Sequence, residues 1–216
     1  MAALKPPENL TVVLKLLLKY YPDAHCALYH RNAFELLVAT ILSAQCTDER
    51  VNQVTPFLFD QFPTPQKMAM ASIEDVELHL RSVNFYKNKA KNLIACASAL
   101  VEKHAGNVPE NLEDLVELAG VGRKTANVVL GNAFNKPSGL VVDTHVARLS
   151  FRLGWVKSTD PVDIETRLGK FIPKDKWVQL PHELIFHGRQ VCKARTPLCE
   201  TCFLFEHCPK KGVSKG

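Results

Sequence analysis

The sequence predicts an all-α protein whose C-terminal part is a cysteine-rich loop. Apolar residues recur with helical spacing along most of the 216-residue chain. Capping residues and glycines mark the ends of these runs. No alternating run of β-branched residues is bounded by turns, so no sheet is expected.

The predicted helices follow in chain order. A first helix carries the apolar stripe of Leu10, Val13, Leu14, Leu17 and Leu18. Asn32 is a predicted N-cap, with Glu35 at the reciprocal capping-box position, and Ser72 is another. Further helices are predicted at Tyr86–His104 (ended by Gly106), from Asn111 to Gly120, at Arg123–Phe134, at Thr144–Leu153 (between Asp143 and Gly154) and after Asp160-Pro161.

Two proline-containing segments are candidate domain boundaries, at Pro63–Pro65 and at Pro137, and the second is the more important. Leu140–Val142 is predicted to be an extended linker, since it is too short for a strand of a sheet. The expected division is therefore a helical domain at residues 26–136 and a second domain formed by residues 1–25 and 137–216.

Composition is that of an ordinary globular protein, with 46% hydrophobic and 23% charged residues. Met1–Pro7 lacks the apolar core of a signal peptide, and no apolar stretch approaches the roughly 18 residues of a membrane span. We therefore expect a cytoplasmic protein, in the bacterial cytosol or nucleoid, that does not bind membranes.

The net charge of +5 is unevenly distributed. The segment from Arg81 to Val101 contains no acidic residue but four basic ones, Arg81, Lys87, Lys89 and Lys91. Lys193 and Arg195 form a second such segment. Both suit a polyanion such as nucleic acid, although charge alone fits a solvated helix face equally well.

Four of the seven cysteines, Cys192, Cys199, Cys202 and Cys208, follow the spacing C-x6-C-x2-C-x5-C. Thiolates this close in sequence can surround one metal centre, either a [4Fe–4S] cluster or a tetrahedral zinc ion. Two disulfides are the alternative, which a reducing compartment disfavours. The remaining three cysteines are predicted to be small buried residues.

The segment Leu118–Ala126 contains Gly120-Val121-Gly122 between two predicted helices. The glycines permit a tight turn, and Val121 can insert into the core between the helices. The amides that begin the next helix would face a phosphate together. This pattern predicts a helix–hairpin–helix, a motif that holds the DNA backbone without reading its sequence.

Lys124 follows this hairpin, and Asp143 stands before the next helix. Considered singly, Lys124 is typical of a surface lysine and Asp143 of an N-cap. Together they suggest chemistry on DNA, because a lysine beside a phosphate-binding turn lies near the sugar and a carboxylate could accept or steer a proton.

Four motifs together give the chain a strong resemblance to the endonuclease III family of DNA glycosylases. They are Leu42–Asp48, Gly120–Val129, Val142–His145 and the cysteine spacing, and the match runs nearly end to end. The resemblance implies two helical domains with a DNA-binding cleft between them. It also implies a [4Fe–4S] cluster rather than zinc, and as partner double-stranded DNA containing damaged bases or abasic sites, bound by a monomer.

The resemblance further implies a bifunctional DNA glycosylase and AP lyase that excises oxidised pyrimidines. The damaged base is flipped from the duplex, and Lys124 attacks the sugar C1′ to form a Schiff base. Partial burial and the neighbouring Arg123 are expected to favour the neutral amine that this attack needs. Asp143 assists proton transfer or stabilises positive charge on the sugar, and β-elimination cuts the strand.

Other positions are assigned from the same resemblance. Gln45 fills the gap left by the flipped base, or only hydrogen-bonds at a helix end. Phe85 inserts as a wedge, or lies in the core. His145 shapes the site, or is a packed histidine. Gly120, Gly122 and Arg123 bind the DNA backbone, as do Lys193 and Arg195 on the loop that the cysteines hold.

Two features depart from the family pattern, namely Ala119, where proline is usual, and one additional residue near Lys136-Pro137-Ser138. Three rival functions are an adenine-mismatch glycosylase, a non-catalytic DNA-binding module and a ferredoxin-like electron carrier. The first would lack a hairpin lysine and has a glutamate where this chain has Ala39 and Thr40. The second leaves Lys124 with Asp143 unexplained, and the third leaves the hairpin unexplained.

Overall fold

The predicted all-α class is confirmed by a computed structural model that describes residues 5–213. Within that range the chain forms eleven α-helices and two 3₁₀ turns, and no strand occurs. The chain divides into two units, Cys26–Ser138 and a second formed by Met1–His25 with Gly139–Gly216. Pro63–Pro65 lies inside the first unit, so the boundary predicted there was wrong.

The helices of the unit Cys26–Ser138 are α2 Ala33–Leu42, α3 Asp48–Gln61, α4 Pro65–Ala69, α5 Ile73–Leu80, α6 Tyr86–His104, α7 Leu112–Val116 and α8 Arg123–Phe134. The unit is built around the long helix α6, against which α4 and α5 pack, while α8 packs on α2 and α7. Its core is aliphatic, with Leu36, Leu58 and Leu93 almost fully buried.

The predicted caps at Asn32 and Ser72 are confirmed, since each side chain accepts a hydrogen bond from the third residue beyond it. The capping box at Glu35 was wrong in one detail. Its carboxylate accepts from the backbone N–H of Arg31, at 2.7 Å, and pairs with the Arg31 guanidinium. Glu35 therefore binds the residue that precedes the N-cap, not the N-cap itself, and stabilises the turn before the helix.

Three helices were not predicted from the sequence, namely α3, α4 and α11 (Gln179–Gln190). Each contains a proline, which a sequence pattern treats as a helix boundary. Pro65 and Pro181 stand in first turns, where the missing N–H has no intrahelical partner. Pro56 lies inside α3, whose buried face of Val51, Val54 and Leu58 keeps the helix intact.

The other unit contains α1 Leu10–Tyr20, α9 Thr144–Arg152, α10 Pro161–Leu168 and α11, with 3₁₀ turns at Lys174–Lys176 and Phe205–His207. Helix α11 packs on α9 and on α1. Leu140–Val142 has no regular secondary structure, and Leu140 is buried in this unit's core. The cysteine loop follows α11 and lies against the same core.

Among residues 5–213 no helix has both the length and the apolar character that crossing a membrane requires.

Candidate nucleic-acid interface and metal centre

The predicted hairpin joins α7 to α8 by a tight turn. Val121 donates its backbone N–H to Leu118 O at 3.1 Å, and Gly120 adopts φ +78°. Val121 and Leu118 are buried, so both apolar side chains of the turn anchor it in the core. A Cβ at Gly120 would lie 3.1 Å from Asn92 Cβ. The position therefore needs glycine for both conformation and space.

The N-terminus of α8 has no side-chain cap, because Gly122 occupies the N-cap position. Gly122, Arg123 and Lys124 are exposed, and a Cβ on Gly122 would meet no heavy atom within 4 Å. Several other helices, including α7, are capped by Ser, Thr, Asn or Asp side chains. An uncapped, exposed helix start presents its first amides and positive dipole end to an anion.

Lys124 lies in the first turn of α8 and is exposed. The expected partial burial of this side chain was therefore wrong.

Gln45 and Phe85 line one groove together with Lys89 and Gly120. Both adopt left-handed backbone conformations, with φ +55° and +57°. Phe85 is 65% exposed, so the alternative that it belongs to the core was wrong. Two exposed side chains thus project from strained loops of one unit, beside the hairpin glycine.

Asp143 is half-buried at the N-cap of α9, where its Oδ1 accepts from Val146 N at 2.8 Å. His145 lies two residues further along, in the first turn of α9, and its Nδ1 accepts a hydrogen bond of 3.1 Å from the Arg148 guanidinium. Burial lowers the pKa of His145, an effect that nearby Asp143 opposes. A Cβ at Gly188 would lie 2.7 Å from His145 Nδ1, so this glycine allows α11 to pack closely on α9.

The four clustered cysteines form no disulfide and line one pocket. Two of their sulfurs accept backbone N–H groups, from Leu204 to Cys202 and from Lys210 to Cys208, each at 3.4 Å. The Arg152 guanidinium lies 3.3 Å from Cys192 Sγ. Such donors stabilise thiolates, which are the ligand form of cysteine.

Within residues 5–213, no three or more Cys, His, Asp or Glu side chains converge on a single ion site. A zinc ion needs all its ligands within about 2.3 Å of one point, whereas a [4Fe–4S] cluster distributes four thiolates around a larger core. Four cysteine sulfurs on one pocket are the donor set that a [4Fe–4S] cluster takes.

The loop between Cys192 and Cys199 is tied to α9 by two arginines. Arg152 donates to Lys193 O at 2.8 Å and to Ala194 O at 2.7 Å, and Arg148 donates to Cys192 O at 3.1 Å. The side chains of Lys193 and Arg195 are exposed on this loop. Sequence reasoning assigned no role to Arg148 or Arg152, although their spacing of four residues on a helix places them on one face.

The basic segment after Arg81 is only partly a positive surface. Arg81, Lys87 and Lys91 are exposed, but Lys89 is 6% exposed. Its Nζ donates to Leu42 O and Ala44 O at 2.8 and 2.7 Å. Counting Lys89 with the exposed charges was therefore wrong, because backbone carbonyls already engage its ammonium group.

Comparison with known proteins agrees with this geometry. Residues 38–174 match the family described as HhH-GPD superfamily base excision DNA repair protein. Residues 192–208, which span the four cysteines, match the iron–sulfur binding domain of endonuclease III. The endonuclease III of Synechocystis sp. is 48% identical over 207 residues, covering 96% of this chain and 94% of the relative.

The chain belongs to the endonuclease III family.

Two solved structures agree. A non-covalent endonuclease III–DNA complex superposes with a TM-score of 0.89 at 44% identity, covering 94% of this chain and 95% of the other. A trapped covalent endonuclease III–DNA intermediate superposes with a TM-score of 0.88 at 43% identity, covering 94% of this chain and 97% of the other. As an endonuclease III family member, the protein is a base excision repair DNA glycosylase and AP lyase with a [4Fe–4S] cofactor. Family membership disfavours the adenine-mismatch, binding-only and electron-carrier alternatives.

Proposed function

We propose that Lys124 is the nucleophile that excises oxidised pyrimidines from duplex DNA. The observation that carries this proposal is its place in the exposed first turn of α8, directly after an uncapped helix start. A phosphate bound by that helix end places the DNA sugar within reach of the lysine. No sequence reading is needed, since the contact is to the backbone.

The steps assign a separate task to each residue. The Lys124 amine attacks C1′, the glycosidic bond breaks, and the damaged base leaves with a proton. Ring opening gives a Schiff base, and loss of a C2′ proton expels the 3′ phosphate. Asp143 stabilises the positive charge that develops on the sugar, for which its half-buried carboxylate at a helix N-terminus is preorganised.

Gln45 and Phe85 fill the space that the flipped base leaves. Their exposure on one groove of the unit supports this role. Extruding a base costs stacking and pairing, and side chains that replace it in the duplex offset that cost. His145, in the first turn of α9, helps to shape the site near Asp143.

We assign Cys192, Cys199, Cys202 and Cys208 as ligands of the cluster. When bound, it supplies a covalent cross-link of the loop. Arg148 and Arg152 hold the same loop from α9, so that Lys193 and Arg195 present their charges to DNA phosphates.

We further propose two domains, a helical one at residues 26–136 and an iron–sulfur one formed by residues 1–25 and 137–216. The division of the chain into two units near these positions supports this proposal. We also propose a cytoplasmic location, in keeping with the bacterial relatives.

The test is borohydride trapping on a duplex containing thymine glycol. The wild-type protein should form a covalent adduct and nick the strand, and Lys124→Ala should form none while still binding the duplex. Trapping that persists in Lys124→Ala would refute the assignment. A panel of duplexes with oxidised pyrimidines, oxidised purines and alkylated bases defines the substrate class, and preference for a purine lesion would overturn the proposed specificity.

A further inference from the structure

Lys89 is a buried cation without a carboxylate partner among the described residues. Its ammonium group donates to Leu42 O and Ala44 O, at and just beyond the C-terminal end of α2. Burial lowers the pKa of Lys89. The carbonyl end of a helix carries partial negative charge and stabilises a cation there. The two carbonyl oxygens that accept its hydrogen bonds compensate for the loss of solvent around the ammonium group.

Lys89 holds the backbone before Gln45. Ala44 O belongs to the peptide group that precedes Gln45, and Gln45 O belongs to the peptide group that follows it. Lys89 fixes the first, and the Asn84 side chain fixes the second by donating from Nδ2 at 2.7 Å. The dihedral angles of Gln45 are thereby set from both sides.

We call these two hydrogen bonds, from Lys89 to Ala44 O and from Asn84 to Gln45 O, the clamp. The clamp matters because Gln45 is not glycine and yet has φ +55°. The left-handed region is disfavoured for such residues, and strain of this kind persists only where the surroundings enforce it. Phe85 shares the feature, with φ +57°, and stands between Asn84 and Lys89 in sequence. Lys89 also donates its backbone N–H to Phe85 O, at 3.1 Å. The same two residues therefore join the loops that present both side chains.

We propose that Lys89 is a positioning residue that, with Asn84, locks Gln45 beside Phe85 in the conformation that enters the duplex. The inference rests on the proposed roles of Gln45 and Phe85. It adds that the gap-filling pair is rigid before DNA binds, so that the enzyme does not lose conformational entropy there on base extrusion.

Two variants test the clamp. Lys89→Met removes both hydrogen bonds of the Lys89 ammonium group while keeping a side chain of similar length. Asn84→Ala removes the hydrogen bond to Gln45 O, and because Asn84 is exposed the substitution leaves the core intact. Lys103→Met is the matched control, because Lys103 is an exposed lysine in the last turn of the same helix. Thermal unfolding and cluster absorbance establish that each variant is folded.

The readout compares two substrates under single-turnover conditions. Excision from a lesion-bearing duplex requires base extrusion, whereas β-elimination at an abasic site in single-stranded DNA does not. Lys89→Met and Asn84→Ala should slow the duplex reaction by about tenfold or more and leave the single-strand reaction within about twofold of wild type. The fluorescence of 2-aminopurine opposite the lesion should report incomplete gap filling in both variants.

The outcomes separate this inference from the proposed function. Gln45→Ala should show the same selective loss, and Gln45→Ala with Lys89→Met should be no worse than Gln45→Ala alone, because Lys89 acts through Gln45. Equal loss on both substrates, or wild-type duplex rates for Asn84→Ala, would overturn the positioning role while leaving Lys124 as nucleophile. If Lys89→Met does not fold, Asn84→Ala decides the question alone. Absence of Lys124-dependent trapping in the wild type would instead remove the proposed function.

Discussion

Replacing Asp143 with asparagine separates the two tasks of this side chain. Oδ1 of Asp143 caps α9 by accepting from Val146 N at 2.8 Å, and an asparagine amide oxygen can accept the same bond. Asn and Asp are comparable N-caps, so only the charge at the helix N-terminus is lost, worth about 0.3–1 kcal/mol. Asp143→Asn should therefore lower the free energy of unfolding by no more than about 1 kcal/mol.

Asp143→Ala provides the comparison, since alanine loses the cap as well. The additional cost should be about 1 kcal/mol. In a chain of this size, each kcal/mol lowers Tm by roughly 2–4 °C. The two variants should thus differ in stability by an amount that urea or thermal denaturation resolves, while neither keeps a carboxylate at the site.

Activity should follow the charge and not the cap. Both variants should lose about 100-fold or more in single-turnover excision, because each lacks the carboxylate that stabilises positive charge on the sugar or steers a proton. DNA binding, measured in parallel by fluorescence anisotropy, should be retained by Asp143→Asn. If Asp143→Asn excised the lesion at nearly the wild-type rate and only Asp143→Ala were impaired, Asp143 would be a cap and nothing more.

Three further perturbations test the hairpin, the buried acid and the cysteine loop. Gly120→Ala should lower the free energy of unfolding by about 1–2 kcal/mol, because Gly120 has φ +78° and a Cβ would crowd Asn92. Gly122→Ala should fold normally and bind DNA more weakly, since a Cβ there meets no heavy atom. Equal losses of stability in the two variants would refute this prediction. Burial raises the pKa of Glu183 to about 7, from 4.5. Ionisation of Glu183 therefore destabilises the folded protein increasingly as pH rises between these values. Glu183→Gln should raise the free energy of unfolding by roughly 1–3 kcal/mol at pH 8 but by little at pH 5. An equal gain in stability at both pH values would contradict this prediction. Cys199→Ala should lose cluster absorbance, iron and thermal stability and bind DNA more weakly at raised salt; a variant with full iron content would remove Cys199 from the ligand set.

Much of the fold could be predicted because its signals are local. Tyr86–His104 is a helix with the predicted bounds, and Asn32, Ser72 and Asp160 cap helices as expected. A cap depends on atoms a few residues apart, so sequence suffices. Helix α3 was missed because Pro56 signals a break, and only burial of the helix face against neighbouring helices outweighs that signal.

The candidate site divides in the same way. The sequence by itself determined the glycine hairpin, the lysine after it, the capping aspartate and the cysteine spacing, since each is a short pattern whose chemistry lies within a few residues. Only the tertiary structure decided that Lys89 is buried on the carbonyls of Leu42 and Ala44, and that Arg152 holds the loop after Cys192. These bonds join residues more than forty positions apart. The sequence does not show whether a lysine or arginine side chain is solvated or buried. That depends on how one helix packs against the end of another, which only the tertiary structure determines.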